Sequence, residues 1–172
     1  NPISEYTVLV DANSGEVLEY FDNVVYGTIQ GTVTGEIYPE YPSQAQVEVP
    51  FRNNFVRVNS QSALTDAQGK YKLLGLSGTP TLKSQLIGPY VEVINDQEPS
   101  TTHSFTDAVP AIHDFNWKND DSSYKQEESN VFYHVNKIHE FFSGKLNSYE
   151  MNYQMEATVN LDNSCNAFYG GH

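Results

Sequence analysis

Apolar and polar residues alternate in short runs along much of this chain, and glycine, proline and asparagine break the runs apart. A period of two marks strands that turn one face to a core. Tyr6–Val10 and Glu16–Phe21 flank Asp11-Ala12-Asn13-Ser14-Gly15, a loop of residues that tolerate left-handed backbone angles, and so predict a hairpin. Beyond Val25 the runs Tyr26–Ile37, Gln44–Phe51, Phe55–Val58, Lys70–Leu74, Thr81–Ile87 and Tyr90–Ile94 predict a β-sandwich or barrel. Ile29, Val33 and Ile37 are spaced for one face, and Val47, Val49 and Phe51 for another.

The pattern then changes. Residues 96–123 are polar and acidic, carry Pro99 and Pro110, and hold one apolar patch from Ile112 to Trp117, which reads as a linker wrapping into a strand. Ser123 with Gln126 forms a capping-box pair, Glu127 and Glu128 suit the positive end of a helix, and Gly144 supplies a stop. A helix is predicted over 124–143, with Val131, Val135, Ile138 and Phe142 as its apolar stripe. Tyr153–Asn160 reads as a strand with Tyr153, Met155, Ala157 and Val159 on one face, followed by a turn at Asp162-Asn163 and a last strand through Phe168. The fold class is therefore mainly β with one long C-terminal α-helix.

Charge narrows the function classes. The chain of 172 residues has 22 acidic and 9 basic residues, a formal charge of -13, which repels phosphate backbones and anionic lipid surfaces. Neither nucleic acid nor membrane is an expected partner, and no apolar run is long enough to span a bilayer. Acidity combined with 12 Tyr and 9 Phe favours a secreted or surface protein. The single cysteine, Cys165, cannot form an internal disulfide; a buried thiol is expected, with a free thiol or half of a bridge to residues outside this chain as the alternatives.

Chemistry-bearing motifs are incomplete. His139-Glu140-Phe141-Phe142 begins like H-E-x-x-H, whose paired histidines hold zinc while the glutamate activates water, but the fifth position is Ser143. His134 does not replace the missing ligand, because a five-residue step turns it away from His139 around a helix. Packing and local hydrogen bonding are the expected roles of both. His103, His113 and His172 are scattered, and are read as surface or loop residues. Asn119-Asp120-Asp121 lacks the spaced oxygen ligands of a calcium loop. No catalytic residue and no metal ligand is assigned within the chain.

Three segments carry family resemblances. Leu64-Thr65-Asp66-Ala67-Gln68-Gly69-Lys70-Tyr71-Lys72-Leu73 looks like the T-D-x-x-G-x-Y-x-L signature of carboxypeptidase-regulatory-like, transthyretin-type sandwiches. In it Asp66 closes the turn on its own backbone, Gly69 takes a positive φ, and Tyr71 and Leu73 point into the core. Val10 to Leu18 resembles the end of a propeptide domain. Val131-Phe132-Tyr133-His134 through Phe142, Met155–Asn160 and the terminal Asn166-Ala167-Phe168-Tyr169-Gly170-Gly171-His172 resemble the first helix and strands of a thermolysin-like or fungalysin-like zinc metallopeptidase.

The resemblance implies a propeptide-like hairpin over 1–24, a Greek-key sandwich over 25–96, and over 97–172 the start of a thermolysin-like α+β β-layer. Asn166 would bond a polypeptide substrate through its side-chain amide, Ala167 through its carbonyl and Tyr169 through its backbone N–H. The chain would be the N-terminal, noncatalytic portion of a secreted zinc endopeptidase, cut before its zinc, with an upstream part removed. Its partners would be the remainder of the catalytic domain and the substrate; zinc would belong to the full-length enzyme, and this chain alone would be inactive. The rival reading is an extracellular adhesion or carbohydrate-binding β-sandwich module without enzymatic activity, with exposed aromatics and acidic surface as its contact face.

Overall fold

The computed structural model describes residues 5–24, 26–118, 123–146 and 150–162, with 123–125 as backbone. It is mainly β with one helix. In chain order the elements are β1 Tyr6–Val10, β2 Val17–Asp22, β3 Gly27–Ile37, β4 Val47–Pro50, β5 Phe55–Val58, β6 Gln61–Leu64, β7 Lys70–Leu76, β8 Thr81–Ser84, β9 Val91–Asn95, β10 His103–Thr106, β11 Ala111–Ile112, β12 Phe115–Trp117, α1 Ser123–Ser143 and β13 Met155–Val159.

The long strand β3 is the spine. Its first half pairs antiparallel with β7 and parallel with β11, and its second half antiparallel with β4 and parallel with β12. The exchange of partners falls at Val33, whose N–H donates to Gly69 O (2.8 Å) and whose carbonyl accepts from Phe51 N–H (2.9 Å). On the other side, Asp114 fills the gap between β11 and β12. Its Oδ1 accepts from both the backbone N–H and the hydroxyl of Thr32, each at 2.7 Å. Gly31 permits that approach, since a Cβ there would be driven into His113 O.

A second sheet runs β10-β8-β5-β6, and β9 pairs in parallel with β13. Ile29, Val33, Ile37, Phe51, Val56, Leu73, Leu82, Val91 and Trp117 belong to one buried cluster. Ile29, Val33 and Ile37 share the predicted buried face; of the second predicted set only Phe51 is buried, Val49 being half-buried and Val47 exposed. A run of rings joins the two sheets. Phe105 of β10 stacks on His113 (3.7 Å between centroids), His113 meets Phe115 edge-on (4.6 Å), and Phe115 leans on Tyr71 (6.1 Å). Tyr71 donates its hydroxyl to His113 O at 2.7 Å.

Three expectations need correction. Residues 103–117 are not simply a linker, because β10, β11 and β12 complete the sheets built by residues 27–84. Nor does β13 begin a separate β-layer: it lies beside β9, and α1 packs on β9, β3 and β13. The face that α1 buries also takes in only half of the predicted stripe, Val131 and Val135, which pack on the core. Glu128, Ser129, Phe132, Asn136 and His139 are buried, Val131 and Val135 flank them, and Ile138 and Phe142 are exposed. The reason is polar matching: Asn95 Nδ2 donates to Glu128 Oε1 (2.9 Å), Asn53 Nδ2 to Asn136 Oδ1 (3.2 Å), and His139 Nε2 pairs with Asn152 Oδ1 (3.1 Å). Buried polar groups must be paired, so partners across the interface decide which face goes in.

The Thr65–Lys70 turn has the geometry read from its sequence. Asp66 Oδ1 accepts from the N–H groups of Gln68 and Lys70, both at 2.9 Å, and Gly69 has φ +71°. Thr65 is buried, donating to Phe51 O (2.6 Å) and accepting from Asn54 N–H (2.8 Å). A Cβ on Gly69 would press against Val33 O, at the point where β7 hands over to β4. Gly69→Val should therefore lower folding stability by about 2 kcal/mol or more, from αL strain plus that clash. Thermal unfolding reads this, and an unchanged midpoint would contradict the turn's role.

Burial lowers the pKa of His113 below its ordinary 6.5, and the charge of Asp114 only partly opposes this. The neutral ring is thus favoured in the fold. The unfolded chain takes up the proton first as pH falls, so the stabilisation is full above about pH 6.5 and is lost below it. The melting temperature should drop as pH falls from 7.5 to 5, and His113→Phe, which keeps a ring on Phe105, should flatten that slope; equal slopes would exclude His113 as the cause.

Candidate functional site

The near-motif on α1 is taken up by packing. His139 is 4% exposed and stacks on Tyr90 with centroids 3.5 Å apart. Glu140, one residue on, forms an ion pair with Arg52. His134 pairs through Nε2 with Tyr38 O at 2.8 Å, on another side of the helix. His103 and His113, read as surface or loop residues, are instead half-buried: His103 lies edge-on to Trp117 (4.3 Å) and His113 sits in the ring run. Among the described residues no three His, Cys, Asp or Glu side chains converge as a metal site.

Other predicted positions fall elsewhere. The substrate-binding set Asn166, Ala167 and Tyr169 lies outside the described residues, as do Cys165, His172 and Asn119-Asp120-Asp121. The side chain of Ser123, half of the predicted capping box, does too.

Among the described residues, three surfaces bear on binding. The first is a cavity of about 240 Å³ between α1 and the end of β4, floored by Phe51 and Phe132. Arg52, Glu140 and Lys137 stand on its rim, with the Lys137 ammonium over the Tyr133 ring at 5.6 Å. Its two flexible ends are already engaged with each other, so it offers little unspent polarity. The second is a groove of about 520 Å³ on the outer face of β5 and β8, containing Arg57 and Lys83.

The third is the hairpin β1–β2, the most exposed element of the fold. Every one of its strand residues is exposed, among them Tyr6, Val8, Leu9, Val10, Val17, Leu18, Tyr20 and Phe21. The register Val8↔Tyr20 puts Tyr6, Val8 and Tyr20 on one face, where the two tyrosine rings meet edge-on at 6.1 Å. Among the described residues each strand pairs only with the other, which leaves both outer edges open. The turn itself is firm: Asp11 Oδ1 accepts from the N–H groups of Asn13 and Ser14, both at 2.8 Å, and these bonds hold its carboxyl below the ordinary range. From Glu5 to Asp22 the acidic residues are Glu5, Asp11, Glu16, Glu19 and Asp22, with no lysine or arginine.

No protein-family model matches the chain, and no curated protein does. Among solved structures it is similar to a DUF3823 family protein from Parabacteroides merdae ATCC 43184, at 17% sequence identity and a TM-score of 0.32. The likeness covers 54% of this chain and 45% of that chain, so it spans less than half of that protein. The metallopeptidase-fragment reading is corrected on this ground: no peptidase family or curated peptidase matches any part of the sequence. The helix and strand that suggested it, α1 and β13, are accounted for by their packing on β9 and β3.

Sequence reasoning placed the hairpin but missed its complete exposure, which depends on what the rest of the fold leaves uncovered. It also missed the Arg57–Lys83 pair, whose members are far apart in the chain. The alternating pattern of each strand was the only available signal, since it turns both residues away from the core.

If His139 serves packing alone, His139→Ala should lower stability by about 2 kcal/mol through loss of the Tyr90 stack and the Asn152 bond. Glu140→Gln should change it by less than about 1 kcal/mol, because its ion pair with Arg52 is part-exposed. Calorimetry with and without added zinc checks both; a zinc-dependent rise in melting temperature abolished by either change would reinstate a metal role.

Proposed function

We propose that this protein is a noncatalytic β-sandwich adhesion module acting outside the cell, and that hairpin β1–β2 is the element with which it holds another protein. The observation that carries this is the hairpin's exposure on every strand residue. A lone two-stranded hairpin is marginal in water, and an apolar surface with open strand edges favours the addition of a further strand. The sandwich supplies the rigid support, since the buried cluster begins at Ile29 and takes nothing from β1 or β2.

Charge selects the occupant. A second copy meeting it hairpin to hairpin would bring the same carboxylates against Glu5, Asp11, Glu16, Glu19 and Asp22, with no cation in either hairpin to offset them. An extended segment with alternating apolar residues and lysine or arginine flanks matches both the face and its rim. The strand supplies main-chain hydrogen bonds; the basic flanks supply orientation and rate.

A short peptide of alternating valine and threonine with lysines at both ends provides the probe, and the same peptide with glutamates at both ends the control. The lysine peptide should shift the amide resonances of β1 or β2, and Tyr20→Ser should weaken binding about tenfold, the scale of one lost aromatic anchor. Equal binding of the glutamate peptide, an unaffected Tyr20→Ser variant, or a dimer in sedimentation that Tyr20→Ser dissociates would refute the assignment.

A further inference from the structure

The sheet β10-β8-β5-β6 differs in charge from the rest of the chain. Its four strands, Phe55–Val58, Gln61–Leu64, Thr81–Ser84 and His103–Thr106, contain no aspartate or glutamate, although the whole chain has 22. Their only charged residues are Arg57 and Lys83. Strand alternation sends Val56, Val58, Leu82 and Ser84 inward and leaves both cations exposed on the outer face.

The register sets the two cations directly opposite each other, Arg57↔Lys83. Ser62 pairs with Arg57 and Ser104 with Lys83, so one row across the sheet reads serine, arginine, lysine, serine. Like charges facing each other across a strand pair, about 5 Å apart at Cβ, are destabilising. Among the described residues no carboxylate pairs with either; Arg57 lies instead over the Phe55 ring at 5.3 Å. Folding thus holds together two cations that repel, with nothing on the sheet to neutralise them.

The surroundings indicate what would. The groove of about 520 Å³ containing the pair is also lined by Asn59, Thr81 and Gln85, with Phe55 and Ile87 as apolar patches. Gln85 is turned outward, its Nε2 donating to Thr102 Oγ1 (2.9 Å), and Thr81 shares a hydroxyl contact with Thr106 (2.8 Å). Amides and hydroxyls in rows, interrupted by small apolar surfaces, suit a ring with hydroxyls on its edge and C–H groups on its face. A guanidinium beside an ammonium suits a carboxylate on that ring. The net charge of -13 weighs against a long polyanion such as nucleic acid, whose many phosphates the chain repels as a whole.

We propose that the Arg57–Lys83 groove is a binding site for an acidic saccharide, with a uronate carboxylate seated between the two cations and its hydroxyls on the neighbouring amides and hydroxyls. The site lies in a different sheet from hairpin β1–β2, and its existence does not depend on the hairpin contact.

Tetragalacturonate is the probe, with maltotetraose as the neutral sugar, tetraglutamate as the acidic peptide and inorganic phosphate as the bare anion. Titrated into the whole chain at low salt, tetragalacturonate should shift the amides around Arg57, Lys83 and Gln85. The Arg57→Gln, Lys83→Gln double variant should bind it at least about tenfold more weakly, the scale of lost charge-assisted hydrogen bonds. The melting temperature of that variant should be unchanged or higher, since the substitution relieves repulsion, and this separates a binding role from a structural one. Binding of maltotetraose equal to that of tetragalacturonate would overturn the role of the cations. Equal binding of tetraglutamate or phosphate would overturn the saccharide assignment. Undiminished binding by the double variant, or no shift at these amides, would remove the site.

Discussion

The partner exchange along β3 is the constraint on which the architecture depends. One continuous strand carries two antiparallel neighbours end to end on one edge and two short parallel neighbours on the other. Such an arrangement leaves a gap in the ladder wherever one neighbour stops and the next begins. Buried backbone groups at a gap need substitutes. Gly69 O and Phe51 N–H supply them at Val33, and the Asp114 carboxylate supplies one at Thr32. The sheet is therefore completed by the β6–β7 turn, by the residue after β4 and by a side chain well downstream.

The same logic governs the helix. Its most buried positions include Glu128, Asn136 and His139, which a reading by hydrophobicity would send to solvent. They go inward because the surface beneath offers Asn53, Asn95 and Asn152 as partners. Phe132 supplies the apolar anchor, leaning on Phe51 with centroids 5.5 Å apart. Polar pairing thus centres the buried face on Phe132, with Val131 and Val135 packed at its edge and Ile138 and Phe142 left exposed.

What the sequence disclosed follows from these two facts. Strands with clean alternation, such as Phe55–Val58, and the Thr65–Lys70 turn depend on local chemistry and were legible. The strand Gln61–Leu64 was not, because its apolar content is confined to Ala63 and Leu64. Nor was β10; of the stretch that follows, the sequence showed only a strand at the Ile112–Trp117 patch, because the pairing of β10 to β12 with β8 and β3 is a long-range event in a polar, proline-containing stretch. The helix existed where its length and its Gly144 stop put it, but its orientation required knowledge of asparagines on other elements. The peptidase resemblance failed for a related reason: short stretches such as Val131-Phe132-Tyr133-His134 and Met155–Asn160 have meaning only in a context of partners, and here those partners are Phe51, Tyr38 and β9.

The candidate contact surfaces share a physical origin that local patterns do not express. Each is a place where the described residues leave something uncompensated: apolar strands without a core at β1–β2, and paired cations without a carboxylate at Arg57 and Lys83. Neither deficit stabilises the chain by itself. A packed core would hide the first and a single substitution would relieve the second, so each costs stability that the remaining contacts offset. The buried cluster is drawn entirely from Ile29 onward, and the outward face of β5 and β8 contributes nothing to it. Both surfaces can therefore be altered without touching the spine, so a test of the proposed contacts is separable from a test of folding.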